Sequence, residues 1–183
     1  MAQYAVPDSD VSDGDWVEIG GFFPPYDLWD LVNNGIEGGT PSQSDGIVYQ
    51  DNAGSNTCEL SLQNLTDPDD NTGHIIRVFA NYASFGSETL RVAVFDGATQ
   101  VDTTDFTING GSATTYSYTL NATNVENNLS DYTDLRVKLT DVNSSELINV
   151  YEVELEVPDA GGGGGSAVSD FIRLFSTLVA FNV

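Results

Sequence analysis

The sequence predicts an all-β protein: an antiparallel β-sandwich, jelly-roll or immunoglobulin-like, with a short N-terminal helix and a glycine-linked apolar C-terminal segment. Three observations carry that prediction. Apolar and polar residues alternate in short stretches between residues 47 and 158. Turn residues separate those stretches at a spacing of roughly 8–15 residues. No helical crossover pattern lies between them, which argues against parallel strands.

Residues 1–46 read as a turn-rich cap packed on the sandwich. Within them "YDLWDLVNNGIEGG" places Leu28, Trp29, Leu31, Val32 and Ile36 at helix-like spacing, and Gly38 and Gly39 supply a stop. Residues 47–158 read as the sandwich. "TCELSLQNL" puts Cys58, Leu60 and Leu62 on one face. "HIIRVFANY" alternates Ile76, Val78, Ala80 and Tyr82 against Ile75, Arg77 and Phe79. "TLRVAVFDG" sets Leu90, Val92 and Val94 inward and ends on the turn signal Asp96–Gly97. "ATTYSYTL" carries Tyr116, Tyr118 and Leu120, and "DLRVKLTD" carries Leu135, Val137 and Leu139. "NVYEVELEV" is the clearest alternation: Tyr151, Val153, Leu155 and Val157 are expected inward, and Glu152, Glu154 and Glu156 outward. "FDGATQ" and "INGGSA" are expected as hairpin-type turns. Pro158 ends the last strand, because proline lacks the ladder donor. Residues 159–166 then form a glycine-rich linker and 167–183 a separate element.

Composition limits function. The chain has 183 residues, 28 of them acidic and 5 basic (Arg77, Arg91, Arg136, Lys138, Arg173), a formal charge of −23. Phosphate neutralisation needs clustered cations, so nucleic acid is excluded as a partner, and an anionic membrane surface would repel the chain. No apolar run is long enough to span a bilayer. "MAQYAVPDSDVSDGDW" shows neither a basic nor an apolar leader region, so synthesis in a cytoplasm without a signal peptide is expected. Cys58 has no partner cysteine and reads as a small buried hydrophobe. Four glycosylation-type sequons, at Asn64, Asn121, Asn128 and Asn143, read as Asn/Thr-rich loops.

Nothing in the letters marks catalysis, and no enzymatic activity is expected. His74 is the only histidine, which leaves transition-metal ligation and a Ser-His-Asp triad unsupported; an ordinary hydrogen bond at a strand start is expected for it. The acidic opening Asp8, Asp10, Asp13 and Asp15 reads as a solvated terminus. "DPDDNTG" sets Asp67, Asp69 and Asn71 at alternate positions and approaches a calcium loop, but the sixth-position glycine is missing and Val78 stands at the twelfth. Calcium is thus the only cofactor the letters suggest, and turn preferences explain the same residues. Trp16, Phe22, Phe23, Tyr26 and Trp29 cluster before the strands, and Tyr116 and Tyr118 share a strand face. Exposed aromatics on a β-sandwich stack on sugar rings; buried, the same residues close the core.

Taken in order, "AVPDSDVSDGDWVEIG", "LWDLVNNG", "CELSLQNLTDPDDNTGHIIRVFA", "LSDYTDLRVKLT" and "YEVELEVP" resemble a family of small β proteins. These are encoded among the structural genes of tailed bacteriophages, especially marine ones. The frames are Pro7–Trp16, Thr66–His74 and Tyr132–Val137, and the resemblance covers about residues 5–158. It implies a virion component, with other capsid or tail proteins, or further copies of itself, as partners.

The terminal element lies outside that resemblance. Phe171, Leu174, Phe175 and Leu178 fall at helical spacing, widened by Ile172 and Val179, with Ser166 or Ser169 as a cap before Asp170. A strand would instead align Phe171, Phe175, Val179, Phe181 and Val183. A flexible glycine linker reaches about 15 Å. Phe171, Ile172, Leu174, Phe175, Leu178, Val179 and Phe181 are therefore expected to dock on a partner. The function expected is a non-enzymatic head decoration or short fibre anchored by this segment. The alternative is a receptor- or carbohydrate-binding module of a tail fibre or baseplate, acting on a host-surface glycan.

Overall fold

Period-two alternation resolves into two antiparallel sheets facing one another. The computed structural model describes residues 1–19, 27–37, 41, 43, 46–49, 56–143 and 147–160. The strands are β1 (Gln3–Ala5), β2 (Pro7–Ser12), β3 (Trp16–Glu18), β4 (Ile47–Tyr49), β5 (Thr57–Leu62), β6 (Ile75–Tyr82), β7 (Ser87–Asp96), β8 (Thr99–Asn109), β9 (Thr114–Thr119), β10 (Leu135–Asp141) and β11 (Ile148–Val157). The first sheet runs β3-β4-β11-β6-β9, with β1 also on β11, and the second runs β2-β5-β10-β7-β8. Only β3–β4 and β7–β8 are consecutive strands of one sheet, so nearly every connection crosses the core.

That core lies between the sheets, as the alternation predicts. Ile76, Val78, Ala80, Val153 and Leu155 from the first sheet meet Leu60, Leu90, Val92, Val94, Val137 and Leu139 from the second, and all are almost fully buried. Burying an aliphatic side chain of this size stabilises the fold by about 1.5–3 kcal/mol. Cys58 lies in the same layer, and burial pushes its thiol pKa up.

The segment 1–46 departs from the expected cap. Its described residues supply β1 and β3 to the first sheet and β2 to the second. β2 escapes an alternation test because "PDSDVS" pairs with β5 through two register shifts, so its side chains follow no simple period. The expected helix is a single 3-10 turn, Leu28–Leu31. Asp10, expected as part of a solvated terminus, caps that turn from β2: its carboxylate accepts the Leu28 and Trp29 N–H groups, both at 2.8 Å. Burial raises the Asp10 pKa against those bonds.

Two connections also differ. The β7–β8 hairpin at Gly97 (φ +54°) forms as expected, but "INGGSA" turns a corner between sheets instead of closing a hairpin. Between β9 and β10 the Asn-rich stretch makes an unexpected helix, α1 (Ala122–Asn128). Asn121 caps it by accepting from Thr123 and Asn124 N–H, and Val125 seats it in the core. The buried Asp102 carboxylate braces its start, accepting from Asn121 N–H at 2.7 Å and Asn124 Nδ2 at 3.0 Å.

The outer face of β11 reverses expectation most clearly. Glu152 and Glu154 are wholly buried, not solvated. The segment 33–37 crosses above them and donates its backbone. Asn34 N–H reaches Glu152 at 2.9 Å, Ile36 N–H reaches Glu154 at 2.8 Å, and Glu37 N–H reaches Glu154 at 3.2 Å. Arg77, opposite Glu154 on β6, pairs with Glu154, Glu156 and Glu37. Tyr151, expected inward, turns outward because the ladder slips between Val150 and Glu152. Its ring lies against Phe79, and its hydroxyl donates to Asn81.

Removing Glu154 leaves the Ile36 and Glu37 N–H groups without their acceptor in a buried layer and takes one of three carboxylates from Arg77. Glu154→Ala should cost about 3 kcal/mol in urea unfolding, and Glu154→Gln less, since its amide oxygen still accepts. Equal, near-zero costs for both would show that water replaces the carboxylate.

Candidate functional site

An open cleft of about 660 Å³ lies where two corner connections run side by side at one end of the sandwich. It is lined by residues 81–86 and 109–111. The first corner carries β6 into β7, and the second carries β8 into β9. They touch backbone to backbone. Gly110 N–H donates to Gly86 O at 2.9 Å, and Tyr82 and Gly110 form an isolated bridge. Glycine is required at 110, because a Cβ there would sit 2.1 Å from Ser84 O. Gly86 (φ +103°) and Gly111 (φ +107°) hold turn conformations that side chains disfavour.

The floor is braced from the outer face of the first sheet. Asn81 Nδ2 donates to Gly111 O at 2.6 Å, while Asn81 Oδ1 accepts from Tyr151 Oη at 3.1 Å and Asn149 Nδ2 at 3.2 Å. The slip in β11 that turns Tyr151 outward is what makes this brace possible. Asn109 is exposed; its backbone N–H donates to Tyr116 Oη at 2.9 Å. At the rim stands Phe85, with a relative exposure of 103%. An apolar ring held wholly in water on a turn between short polar residues buries nothing in this fold.

A second, shallower depression is lined by Arg91, Gln100, Thr103, Thr104 and Asp105. Its guanidinium is already engaged: Arg91 Nε and Nη2 donate to the two Asp105 oxygens at 2.7 and 2.9 Å. That pairing lowers the Asp105 pKa and raises that of Arg91.

The residues singled out in the sequence go elsewhere. In the calcium-like stretch, Asp67 accepts from Asp69 N–H at 2.8 Å and Asp70 from Thr72 N–H at 2.9 Å. Each carboxylate thus closes its own turn, and the Thr72 bonds hold the Asp70 pKa below the ordinary range. No three metal-binding side chains converge among the described residues. Trp16 is buried, and Trp29, Tyr116 and Tyr118 pack against the core, so these aromatics close the sandwich. Phe22, Phe23 and Tyr26 lie outside the described residues, as do Phe171, Ile172, Leu174, Phe175, Leu178, Val179 and Phe181. No helix among the described residues is long and apolar enough to cross a membrane. His74 is buried at the start of β6, its Nε2 2.8 Å from Tyr132 Oη, with no partner for Nδ1. Burial lowers its pKa and pushes that of Tyr132 up to about 12.

No protein-family model matches the chain, and no curated protein matches it in sequence. Among solved structures the chain is similar to an exo-β-1,3-galactanase, Pc1,3Gal43A from Phanerochaete chrysosporium, with galactose. The TM-score is 0.47 at 12% identity, covering 86% of this chain and 29% of that one. It is also similar to CBM29_1, a family 29 carbohydrate-binding module from Piromyces equi. There the TM-score is 0.42 at 12% identity, covering 86% of this chain and 91% of that one.

Two outcomes test this geometry. Gly110→Ala should pry the corners apart and lower stability by about 1–3 kcal/mol, while Gly111→Ala meets no neighbouring atom and should cost only the backbone strain of its φ of +107°, about 1–2 kcal/mol. His74, its pKa lowered in the fold, takes up a proton more readily in the unfolded chain, so its stabilising contribution is present above about pH 6.5 and fades below it. Between pH 7 and 5 the protein should therefore lose stability relative to His74→Gln, which cannot titrate. Parallel curves for the two proteins would show that the imidazole takes up its proton freely in the fold.

Proposed function

We propose that this β-sandwich is a non-enzymatic carbohydrate-binding module whose ligand enters the cleft between the two corners. The observation that carries the reading is Phe85, fully exposed at the rim of a cleft whose other lining side chains are those of Asn81, Tyr82, Ala83, Ser84 and Asn109. A pyranose ring has one apolar face and a polar circumference. A flat aromatic ring covers the first, and amides, hydroxyls and free backbone groups answer the second. The Asn109 amide and the Ser84 hydroxyl supply that second part, and the glycines let a ligand approach the backbone closely. Among the described residues the cleft is lined by no carboxylate, histidine or cysteine, so they supply no member of the acid–base pair of glycoside hydrolysis there. This supports binding without cleavage.

The decoration or short-fibre reading draws on the resemblance and on an anchor, 167–183, outside the described residues. The cleft favours the receptor-binding alternative: on a phage particle, such a module would engage a glycan of the host surface during adsorption.

Phe85→Ala removes the platform without touching the core, so melting should be unchanged. Affinity for the polysaccharides that the full chain retains should fall at least about tenfold, as for an aromatic anchor. Affinity electrophoresis in gels carrying neutral galactans, glucans and mannans reads this directly. Retention that survives Phe85→Ala, or no retention on any polymer, would sink the reading.

A further inference from the structure

Resting on the carbohydrate-binding reading, we propose that the cleft selects by charge: it accepts uncharged polysaccharide chains and excludes carboxylated or sulfated ones. Two independent observations meet here. Among the described residues the cleft lining contains no ionisable acid or base apart from the Tyr82 phenol. The chain around it carries a formal charge of −23.

The cations are engaged elsewhere. Arg77 is bound up with Glu37, Glu154 and Glu156. Arg91 is clamped by Asp105, Arg136 meets Asp134 and Glu59, and Lys138 lies 3.0 Å from Glu59 and over the Phe95 ring. The Met1 ammonium pairs with Asp159. Every positive group among the described residues, including those on the open face of the second sheet, therefore already has a carboxylate. The remaining ionisable base among the described residues, His74, is buried, and burial disfavours its charged form.

An anionic sugar approaching the cleft meets the summed field of the unpaired acids with no local cation to offset it. A neutral sugar meets no such barrier. The barrier is long-ranged at low salt, where screening lengths approach about 30 Å at 0.01 M, and collapses to a few ångström near 1 M. Loss of a hydrogen bond has no such salt dependence, so salt separates the two causes.

The test uses matched pairs: neutral galactan, glucan and mannan, each beside its C6-oxidised form in which the primary hydroxyl has become a carboxylate. For each neutral polymer retained by the full chain, the oxidised form should bind about tenfold or more weakly at 10 mM NaCl. At 0.5 M NaCl that gap should close severalfold, while binding of the neutral polymer stays level. Equal or tighter binding of the oxidised form at low salt overturns charge selection, and so does a gap that salt does not move; either result leaves carbohydrate binding standing. Failure of every neutral polymer to bind overturns the carbohydrate reading, and charge selection falls with it.

Discussion

The structure depends on carboxylates that accept hydrogen bonds from irregular backbone. A segment crossing a sheet without pairing leaves its N–H groups facing a layer with little water, and each unpaired group there carries a penalty of about 1–3 kcal/mol. In this chain acids on strands meet that demand. Glu152 and Glu154 receive Asn34, Ile36 and Glu37, and Asp10 receives Leu28 and Trp29. Asp102 receives Asn121, and Asp96 receives Ser130 and Asp131. One carboxylate takes two donors at once, and bonds to a charged acceptor are the stronger kind. The segment 27–37 is thus fastened at both ends, by β2 of one sheet and β11 of the other.

This use of acids changes the meaning of the composition. A charge of −23 suggests a uniformly solvated skin, yet several carboxylates are interior fastenings, and others hold nearly all the arginine and lysine. The described lining of the cleft beside Phe85 carries neither sign, in a chain whose formal charge is −23.

Which features were legible in the sequence follows from what alternation can report. It reports which side of a strand differs from the other, so β7 and β10, each with one apolar face, were read correctly through Leu90, Val92 and Val94 and through Leu135, Val137 and Leu139. It cannot report what covers the polar side. "EVELEV" has the same letters whether its glutamates meet water or a crossing segment, and only the fold supplies residues 33–37. It also assumes an unbroken ladder, so the slip at Tyr151 reversed one residue's face. β2 was lost because its pairing is irregular, and α1 because asparagine is a poor helix former whose strength lies in caps. The cleft leaves a trace in the letters. In "YASFGSE" a lone phenylalanine sits among serine, glycine and alanine, where a turn has no core to give it. Clustered aromatics, by contrast, are what a core produces.

The direction of β11 fixes how the site is presented. Its first residue, Ile148, lies opposite Tyr82 at the cleft end, and its last, Val157, lies opposite Gln3. Ten residues of strand separate the two ends, a distance of about 30 Å. Residues 158–160 therefore leave the sandwich at the end away from the cleft, beside Met1, whose ammonium pairs with Asp159. A ligand stacked on Phe85 and a partner engaged by the chain beyond Ala160 would occupy opposite ends of one rigid body. Strain at one end would have to travel the full length of the core to reach the other, so the two contacts can form without competing for surface. The brace from Tyr151 through Asn81 to Gly111 ties the cleft corner to the central strand of the sheet.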